Sequence, residues 1–394
     1  MKYVIFLGDG MSDRPMAELQ GRTPLMAAHT PHMDRMVREG IGGWSLNTPA
    51  GFYPGSDVAN LGVLGYDVRH SYSGRSPLEA AAMGVELGPT DVSFRCNLVS
   101  LSADFRIMED FSADHITTPE AVELIQTVER ELGSERFRFH PGVSYRHLLV
   151  WKDGRDDLTC VPPHDISDQA IAGRLPDGPA EPIRRLMEES WAFLAQHPVN
   201  RERVRQGRKP ANSIWLWGQG RRPRLEKFHT LFGRRGGMIS AVDLMRGIAK
   251  EIGFEIIHVP GATGWIDTDY AGKARACVAG LERNDLMFVH VESIDEAGHA
   301  GRLDYKLRAI EDFDAKVVGP VLEEMSARGP LRALCLPDHP TPIATKTHNS
   351  DPVPFGMWGT GIAPDANTTY DEGLLTTGSR GFDPGHGLIR AFLA

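Results

Sequence analysis

The stretch YVIFLGDG at positions 3–10 is the clearest indication of the class of fold. Its apolar residues form a short run that stops at Gly8-Asp9-Gly10, which is the pattern of a buried strand ending in a loop. Two later stretches repeat this pattern, since DLMFVHV at 285–291 runs into ESIDEAGH and LRALCL at 331–336 runs into PDHPTP. Buried strands that each lead into a polar loop indicate a parallel sheet.

Helical patterns accompany these strands. Residues 303–327 carry apolar side chains at helical spacing, which predicts a helix packed by one face between the second and third strands. A second helix is predicted over residues 241–253, directly before the apolar run FEIIHVP. Strand, helix and strand in succession form a parallel crossover unit, so the two ends of the chain are expected to build one α/β domain.

The middle of the chain has a different pattern. Thr118-Pro119 is expected to open a helix that ends before Gly133, and SYRHLLVW at 144–151 indicates a strand. We therefore expect an α/β core with a mostly parallel sheet flanked by helices over residues 1–91 and 232–394, and an inserted α+β domain over residues 92–231.

Composition narrows the class of protein. The 394 residues are 41% hydrophobic and 24% charged, which suits a globular protein with a large core and excludes a single small module. The net charge of -9 argues against nucleic acid as the main partner. No apolar run approaches the roughly 18 residues of a membrane span, and acids stand among the first twenty residues, so we expect a cytoplasmic protein without a membrane partner.

Acids and histidines follow each predicted strand. Asp9 follows the first strand, Asp295 and His299 the second, and Asp338 and His339 the third. Loops after the carboxyl ends of parallel strands share one crevice, so these side chains are expected to meet there. His348 comes a short step later, in KTHNSDPVP.

Six mixed carboxylate and imidazole groups are enough for two divalent ions, and they suit Mn²⁺ or Zn²⁺ better than Mg²⁺ or Ca²⁺. Taken alone, Asp9 is more typical of a turn or cap residue. Three such strand ends in one chain favour a metal site.

A serine provides the second signal. In PGSDVANLGVLGYD, residues 54–67, Ser56 stands before a short helical run, where a helix N-terminus favours a phosphate. An N-cap serine is the alternative interpretation. A nearby ion would instead activate the hydroxyl as a nucleophile. No P-loop or dinucleotide motif is present, so no nucleotide cofactor is expected.

Together the motifs resemble those of a known family. They are FLGDGMSD, PGSDVANLGVLGYD, YSGRSPLEA, FRCNLV, SYRHLLV, ANSIWLWGQG, VPGATGWIDTDYAGKA, VESIDEAGHAG, PDHPTP and THNSDPVP. The chain resembles the archaeal-type 2,3-bisphosphoglycerate-independent phosphoglycerate mutases of the alkaline phosphatase superfamily. The resemblance implies an alkaline-phosphatase-like core with an inserted substrate domain.

The resemblance also implies a chemistry. It implies two divalent ions, one held by Asp9, Ser56, Asp338 and His339 and the other by Asp295, His299 and His348. Ser56 would carry a phosphoryl group between the 3- and 2-hydroxyls of glycerate, without 2,3-bisphosphoglycerate. Substrate contacts are expected in the inserted domain, and the candidates are Arg95, His115, Arg146, His164 and Asp165. Arg75 and Lys346 are candidate phosphate contacts from the core domain, and His386 is a less favoured ligand than His348.

Other functions remain open from the sequence. FLGDGMSD and GSDVANLGVLGYD look closest to a bacterial branch for which a homoserine kinase role has been proposed, so a related phosphotransferase or phosphatase on another small substrate is the alternative. The non-enzymatic alternative is a binding protein that is stabilised by metal ions. The sequence leaves the oligomeric state open.

Overall fold

A computed structural model describes residues 1–394, which form thirteen strands and sixteen α-helices. The strands are β1 Lys2–Gly8, β2 Ile41–Ser45, β3 Val92–Leu101, β4 Met108–Asp110, β5 Phe137–Val143, β6 Arg146–Trp151, β7 Ser213–Arg221, β8 Gly236–Ile239, β9 Glu255–Ile256, β10 Leu286–Val291, β11 Leu331–Leu336, β12 Val353–Gly359 and β13 Arg380–Phe382. The helices are α1 Pro24–Ala27, α2 Pro31–Arg38, α3 Ser56–Val63, α4 Val68–Ser71, α5 Ser76–Ala82, α6 Thr118–Leu132, α7 Glu181–Leu194, α8 Pro198–Arg205, α9 Phe228–Phe232, α10 Asp243–Ile252, α11 Tyr270–Arg283, α12 Ser293–His299, α13 Leu303–Phe313, α14 Gly319–Arg328, α15 Leu374–Thr377 and α16 Leu388–Leu393.

The chain forms two compact units, the first comprising Met1–Tyr72 and Arg224–Ala394, the second Ser73–Pro223. The first unit contains an eight-stranded sheet in the order β13-β2-β12-β11-β1-β10-β8-β9. β1 pairs in parallel with both β10 and β11, and only β12 runs against its neighbours. The expected α/β fold with a mostly parallel sheet is therefore confirmed.

Helices cover both faces of this sheet, which explains its continuous apolar runs. Val4 and Phe6 of β1 face a core built with α2, α11, α13 and α14. Tyr3 points to the other face, where its ring contacts Phe392 of α16 with centroids 5.5 Å apart. Because β1 is buried on both faces from Tyr3 onward, it can carry an unbroken apolar run from Tyr3 to Leu7.

Two predicted elements differ in detail. The helix expected over 303–327 is present, but a π-helical turn at Asp314–Val318 joins α13 to α14. The run FEIIHVP contributes only the short edge strand β9. In addition, β10 and β11 are not neighbours, because β1 lies between them.

The second unit is an antiparallel sheet with helices, which agrees with the expected α+β character of the middle of the chain. Its order is β4-β3-β6-β5, and β7 pairs with β3. All ten residues of the central strand β3 are buried. Helices α6 and α7 close one face over a core that includes Trp151 and Trp215. Helix α6 is capped by Thr117 rather than Thr118, with Glu120 accepting from the Thr117 hydroxyl and N–H.

The limits of the second unit, Ser73 and Pro223, fall earlier than the limits of 92 and 231 expected from the sequence. Helix α5 accounts for the earlier start, because it packs on β3 and β7. The Ser76 hydroxyl at its N-terminus donates to the Ser93 carbonyl at 2.7 Å. None of the helices combines the length and apolar character needed to cross a bilayer.

Candidate active site

The carboxyl ends of β1, β10 and β11 carry the predicted acids and histidines. Asp9 directly follows β1, and Asp338-His339 follows β11. After β10 the chain turns into α12, which places Asp295 and His299 one turn apart on the same helix face. The three loops converge because β10 and β11 lie on either side of β1 in the sheet and all three strands run in the same direction.

Asp9, Asp338 and His339 form the first cluster, in which all three residues are buried. His339 Nε2 lies 3.6 Å from Asp9 Oδ1 and 3.3 Å from Asp338 Oδ2. Asn60 Nδ2 donates to Asp338 Oδ2 at 2.8 Å, which fixes this carboxylate against α3. The backbone N–H of Gly10 donates to the other oxygen of Asp338 at 3.2 Å.

Asp295, His299 and His348 form the second cluster. His299 Nε2 lies 3.1 Å from Asp295 Oδ2, and His348 Nε2 lies 3.5 Å from Asp295 Oδ1. The two imidazole Nε2 atoms are only 2.9 Å apart, so both rings direct a nitrogen to the same point. The rings of His339 and His348 stack with centroids 3.9 Å apart, which joins the two clusters into one site.

Ser56 lies at the edge of the first cluster. It is the first residue of α3, whose N-cap is Gly55, so the serine is not the cap residue that the alternative interpretation required. Its Oγ lies 3.3 Å from His339 Nε2. The hydroxyl thus stands at a helix N-terminus and beside a candidate ligand at the same time.

The buried acids and histidines of the two clusters shift one another's pKa values. Burial, followed by repulsion from Asp338 and Asp295, raises the pKa of Asp9 well above its usual value. Burial would raise the pKa of Asp295 too, but hydrogen bonds from His299 and His348 hold it well below normal. Burial would lower the pKa of His299, and the bond and charge of Asp295 instead raise it to about 9.

The donors present fit divalent ions. Asp9 Oδ1 is buried and has no hydrogen-bond partner, although it faces His339 across 3.6 Å. An unpartnered carboxylate oxygen in such a place is costly unless a cation meets it. Each cluster combines carboxylate oxygen with imidazole nitrogen, a donor set that suits Zn²⁺ and Mn²⁺.

The arginine candidates of the second unit gather around one carboxylate. Glu79 lies 3.1 Å from Arg75 Nε and 3.0 Å from Arg95 Nε. The charges of Arg95, Arg75 and Arg146 together overcome the burial of Glu79 and lower its pKa. Three arginine charges therefore act on this one carboxylate. Arg75 was expected on the core side and instead belongs to the second unit.

A chain of aromatic rings connects the other candidates of this unit. The Arg95 guanidinium lies 4.3 Å above the ring of Trp217, and His164 contacts the same ring at 5.2 Å. His164 also contacts Phe111, at 6.0 Å between centroids. Asp165 is exposed beside it, with Oδ1 3.6 Å from His164 Nε2.

The same ring chain continues to the last two candidates. Tyr145 contacts Phe111 at 6.0 Å and His115 at 6.2 Å. Arg146 lies 5.3 Å above the Tyr145 ring. The structure therefore collects the predicted arginines and histidines of the second unit on one continuous face.

Two candidate residues of the first unit, Lys346 and His386, do not belong to either cluster. Lys346 is exposed and its carbonyl oxygen, rather than its ammonium group, faces His299 Nδ1 at 2.9 Å. The Lys346 side chain lies against Gly301. His386 lies outside both clusters, and its charge acts on Asp67.

Sequence reasoning missed several residues that shape the site. His290 holds Asp9 Oδ2 at 2.8 Å, and the Thr341 hydroxyl donates to Asp295. The signal for His290 is a single imidazole in the otherwise apolar run DLMFVHV. Glu79 and Trp217 carried no such signal, since an acid on a helix and an aromatic residue in a strand are common.

The chain is similar to known proteins over most or all of its length. The family model of 2,3-bisphosphoglycerate-independent phosphoglycerate mutase matches residues 37–200. A protein of Geobacter sulfurreducens, named as a probable mutase of this kind, is 54% identical over 94% of both chains. The mutase of Methanothrix thermoacetophila is 48% identical over the whole of both chains. Among solved structures, the cofactor-independent phosphoglycerate mutase of Thermoplasma acidophilum superposes with a TM-score of 0.68, at 25% identity over all of both chains.

Proposed function

Because the chain belongs to the family of 2,3-bisphosphoglycerate-independent phosphoglycerate mutases, we propose that it interconverts 3-phosphoglycerate and 2-phosphoglycerate without a bisphosphoglycerate cofactor. Membership of this family makes the protein an enzyme of the isomerase class. The observation that carries the mechanism is the position of Ser56 Oγ, 3.3 Å from His339 at the edge of two acid and histidine clusters.

The proposal assigns two divalent ions, Mn²⁺ or Zn²⁺, to these clusters. Such ions would supply positive charge to the phosphoryl oxygens and to the serine oxygen. Their ligands would be Asp9, Ser56, Asp338 and His339 for one ion, and Asp295, His299 and His348 for the other. The orphaned Asp9 Oδ1 and the converging nitrogens of His299 and His348 support this assignment.

Ser56 is proposed to carry the phosphoryl group. In the first half of the reaction, the bond from Ser56 Oγ to phosphorus forms as the bond from phosphorus to the C3 oxygen breaks, and the Oγ proton ends on that oxygen. In the second half, the C2 hydroxyl oxygen takes the phosphoryl group and its proton returns to Oγ. The N-terminus of α3 favours the negative charge at Ser56 in both halves.

The second unit is proposed to bind the glycerate. Arg95 and Arg146 offer guanidinium groups to its carboxylate, and guanidinium pairs with carboxylate through parallel hydrogen bonds. Arg75, His115, His164 and Asp165 lie on the same face as further contacts, while Lys346 stays a candidate phosphate contact in the first unit. Supporting this role, Glu79 and Trp217 hold Arg95 in one orientation.

The test is a coupled assay with 3-phosphoglycerate and Mn²⁺ in the absence of 2,3-bisphosphoglycerate. We expect the wild type to form 2-phosphoglycerate and Ser56→Ala to lose at least about a thousandfold in kcat. A phosphorylated peptide containing Ser56 should be recovered after rapid quenching. Ser326→Ala, which removes an exposed hydroxyl of α14, is the matched control and should turn over like the wild type.

Two results would reject the proposal. Turnover that survives in Ser56→Ala would reject the phosphoserine route. A wild type that leaves phosphoglycerate unchanged but transfers the γ-phosphoryl group of added ATP to homoserine would reject the substrate. The relatives described above are named as mutases, so the homoserine kinase alternative has no support from them. The proposal further places the enzyme in the cytoplasm, with a small phosphorylated substrate as its partner.

A further inference from the structure

A buried histidine stands directly behind the first cluster. His290 is the penultimate residue of β10, and its side chain is fully buried in a strand that is otherwise apolar. It lies beside Leu7 of β1 in the sheet, two residues before Asp9. An imidazole in such a place costs free energy unless both ring nitrogens are satisfied, so its partners show what it does.

Both ring nitrogens have a partner, and the partners fix the tautomer. A carboxylate can only accept, so His290 Nε2, which lies 2.8 Å from Asp9 Oδ2, carries the proton of the neutral ring and donates it to Asp9. Nδ1 then accepts from the Ser240 hydroxyl at 3.0 Å, while the backbone N–H of Val242 donates to the same Oγ at 3.0 Å. Lys273 Nζ holds the carbonyl of the same histidine at 2.9 Å.

The two oxygens of Asp9 therefore have different surroundings. Oδ2 is held by His290, whereas Oδ1 is buried without a partner and faces His339. A hydrogen bond to one carboxylate oxygen sets the plane of the group and the direction of the other oxygen. Groups that orient a ligand in this way contribute roughly 10–100-fold to metal affinity.

We propose that His290, held by Ser240, is a positioning residue that directs Asp9 Oδ1 toward the ion of the first cluster. This inference rests on the ligand assignment of the proposed function. The hydrogen bonds of the His290 ring go to Asp9 and Ser240 and not to the second cluster, so its main effect is expected on the ion of the first cluster. Ser240 supports this arrangement by donating to Nδ1, because the opposite tautomer would present a lone pair to Asp9.

The experiment measures Mn²⁺ binding instead of activity. Chelator-treated full-length protein is titrated with Mn²⁺, and free Mn²⁺ is followed by electron paramagnetic resonance. Two backgrounds isolate the ions: Asp295→Asn disables the second cluster and Asp338→Asn the first. We expect His290→Leu to raise the Kd of the remaining ion about 10–100-fold in the Asp295→Asn background and to leave it unchanged in the Asp338→Asn background.

Milder variants separate positioning from packing. His290→Gln keeps an N–H donor toward Asp9 and should recover most of the lost affinity. Ser240→Ala keeps the imidazole but removes the hydroxyl partner of Nδ1, and should weaken binding of the same ion by a smaller factor. His147→Leu, which removes another buried imidazole in the second unit, is the matched control and should leave Mn²⁺ binding unchanged.

The outcomes distinguish this inference from the proposed function. Equal weakening in both backgrounds, or none in either, would overturn the role of His290 while leaving the ligand assignment intact. A wild type that takes up no Mn²⁺ and no Zn²⁺ would overturn the ligand assignment and this inference with it. If His290→Leu does not fold, the results for His290→Gln and Ser240→Ala decide: unchanged Kd in Ser240→Ala together with a loss in His290→Gln would contradict the proposal.

Discussion

Removal of the buried ammonium group of Lys306 is expected to destabilise the first unit strongly. Lys306 Nζ and the Asp13 carboxylate form an ion pair at 2.9 Å, with 0% and 2% of the two side chains exposed. The same ammonium donates to the Thr341 carbonyl at 2.8 Å and to the Ser12 carbonyl at 3.4 Å. Lys306 thus ties the loop after β1 to the loop after β11.

The size of the effect follows from this burial. In Lys306→Met the aliphatic part of the side chain is kept, but Asp13 loses its cation and two carbonyls lose a donor. Leaving one charge of a buried pair uncompensated costs about 3–5 kcal/mol. Lys316→Met removes an ammonium that is 48% exposed, with Asp312 at 2.8 Å. Since exposed pairs contribute about 0–1 kcal/mol, this control should change the free energy of unfolding little.

The assay is urea unfolding of the full chain, with hydrogen exchange of peptides from β1 and β11 to report on the first unit. Adding Asp13→Asn to Lys306→Met should restore at least about 1 kcal/mol, because no buried charge then lacks a partner. The reasoning would be refuted if Lys306→Met lowered the free energy of unfolding no more than Lys316→Met does. It would also be refuted if the double variant lost more free energy of unfolding than the two single substitutions lose together.

Three further predictions concern pH, substrate and metal. Burial raises the pKa of Glu372 to about 7, although hydrogen bonds from Thr23 and Asp13 act in the opposite direction. The stability that the protonated carboxyl contributes is fully present below the pKa of Glu372 in the unfolded chain and is lost as pH rises through 7. Glu372→Gln should therefore flatten the fall in melting temperature between about pH 5 and pH 8. Arg95→Lys should raise KM for phosphoglycerate about tenfold, because a lysine can neither stack on Trp217 in the same way nor form two parallel bonds; an unchanged KM would contradict this. Chelation should lower the melting temperature, and Mn²⁺ at roughly 100 times its Kd should restore about 2.7 kcal/mol of stability, as followed by calorimetry.

Much of the site could be predicted because its residues stand at strand ends. The apolar runs of β1, β10 and β11 mark buried strands, and a polar residue at the end of such a run has no packing reason to be there. The parallel-sheet rule then brings Asp9, Asp295 and Asp338 together without knowledge of the strand order. The position of β1 between β10 and β11 could not be predicted, since local patterns do not encode which strands are neighbours.

The parts that the sequence did not indicate depend on tertiary contacts. His290 supports Asp9 from a neighbouring strand, 281 positions away in the chain. The early start of the second unit depends on α5 packing against β3, a contact between segments with no shared motif. A residue that supports another side chain leaves a weaker sequence pattern than a polar residue at the end of an apolar strand.

The distribution of hydrogen bonds among the three site acids explains why one of them needs outside support. Asp338 accepts from the N–H groups of Gly10 and its own successor and from Asn60, and Asp295 accepts from Thr341 and lies against His299. Asp9 accepts only from His290, and β1 carries it at the centre of the sheet, where it meets repulsion from both other acids. Its free oxygen is therefore the position at which added positive charge is most stabilising, and a substitution that turns this oxygen away should weaken the first ion more than an equal disturbance at Asp338, which several donors hold in place.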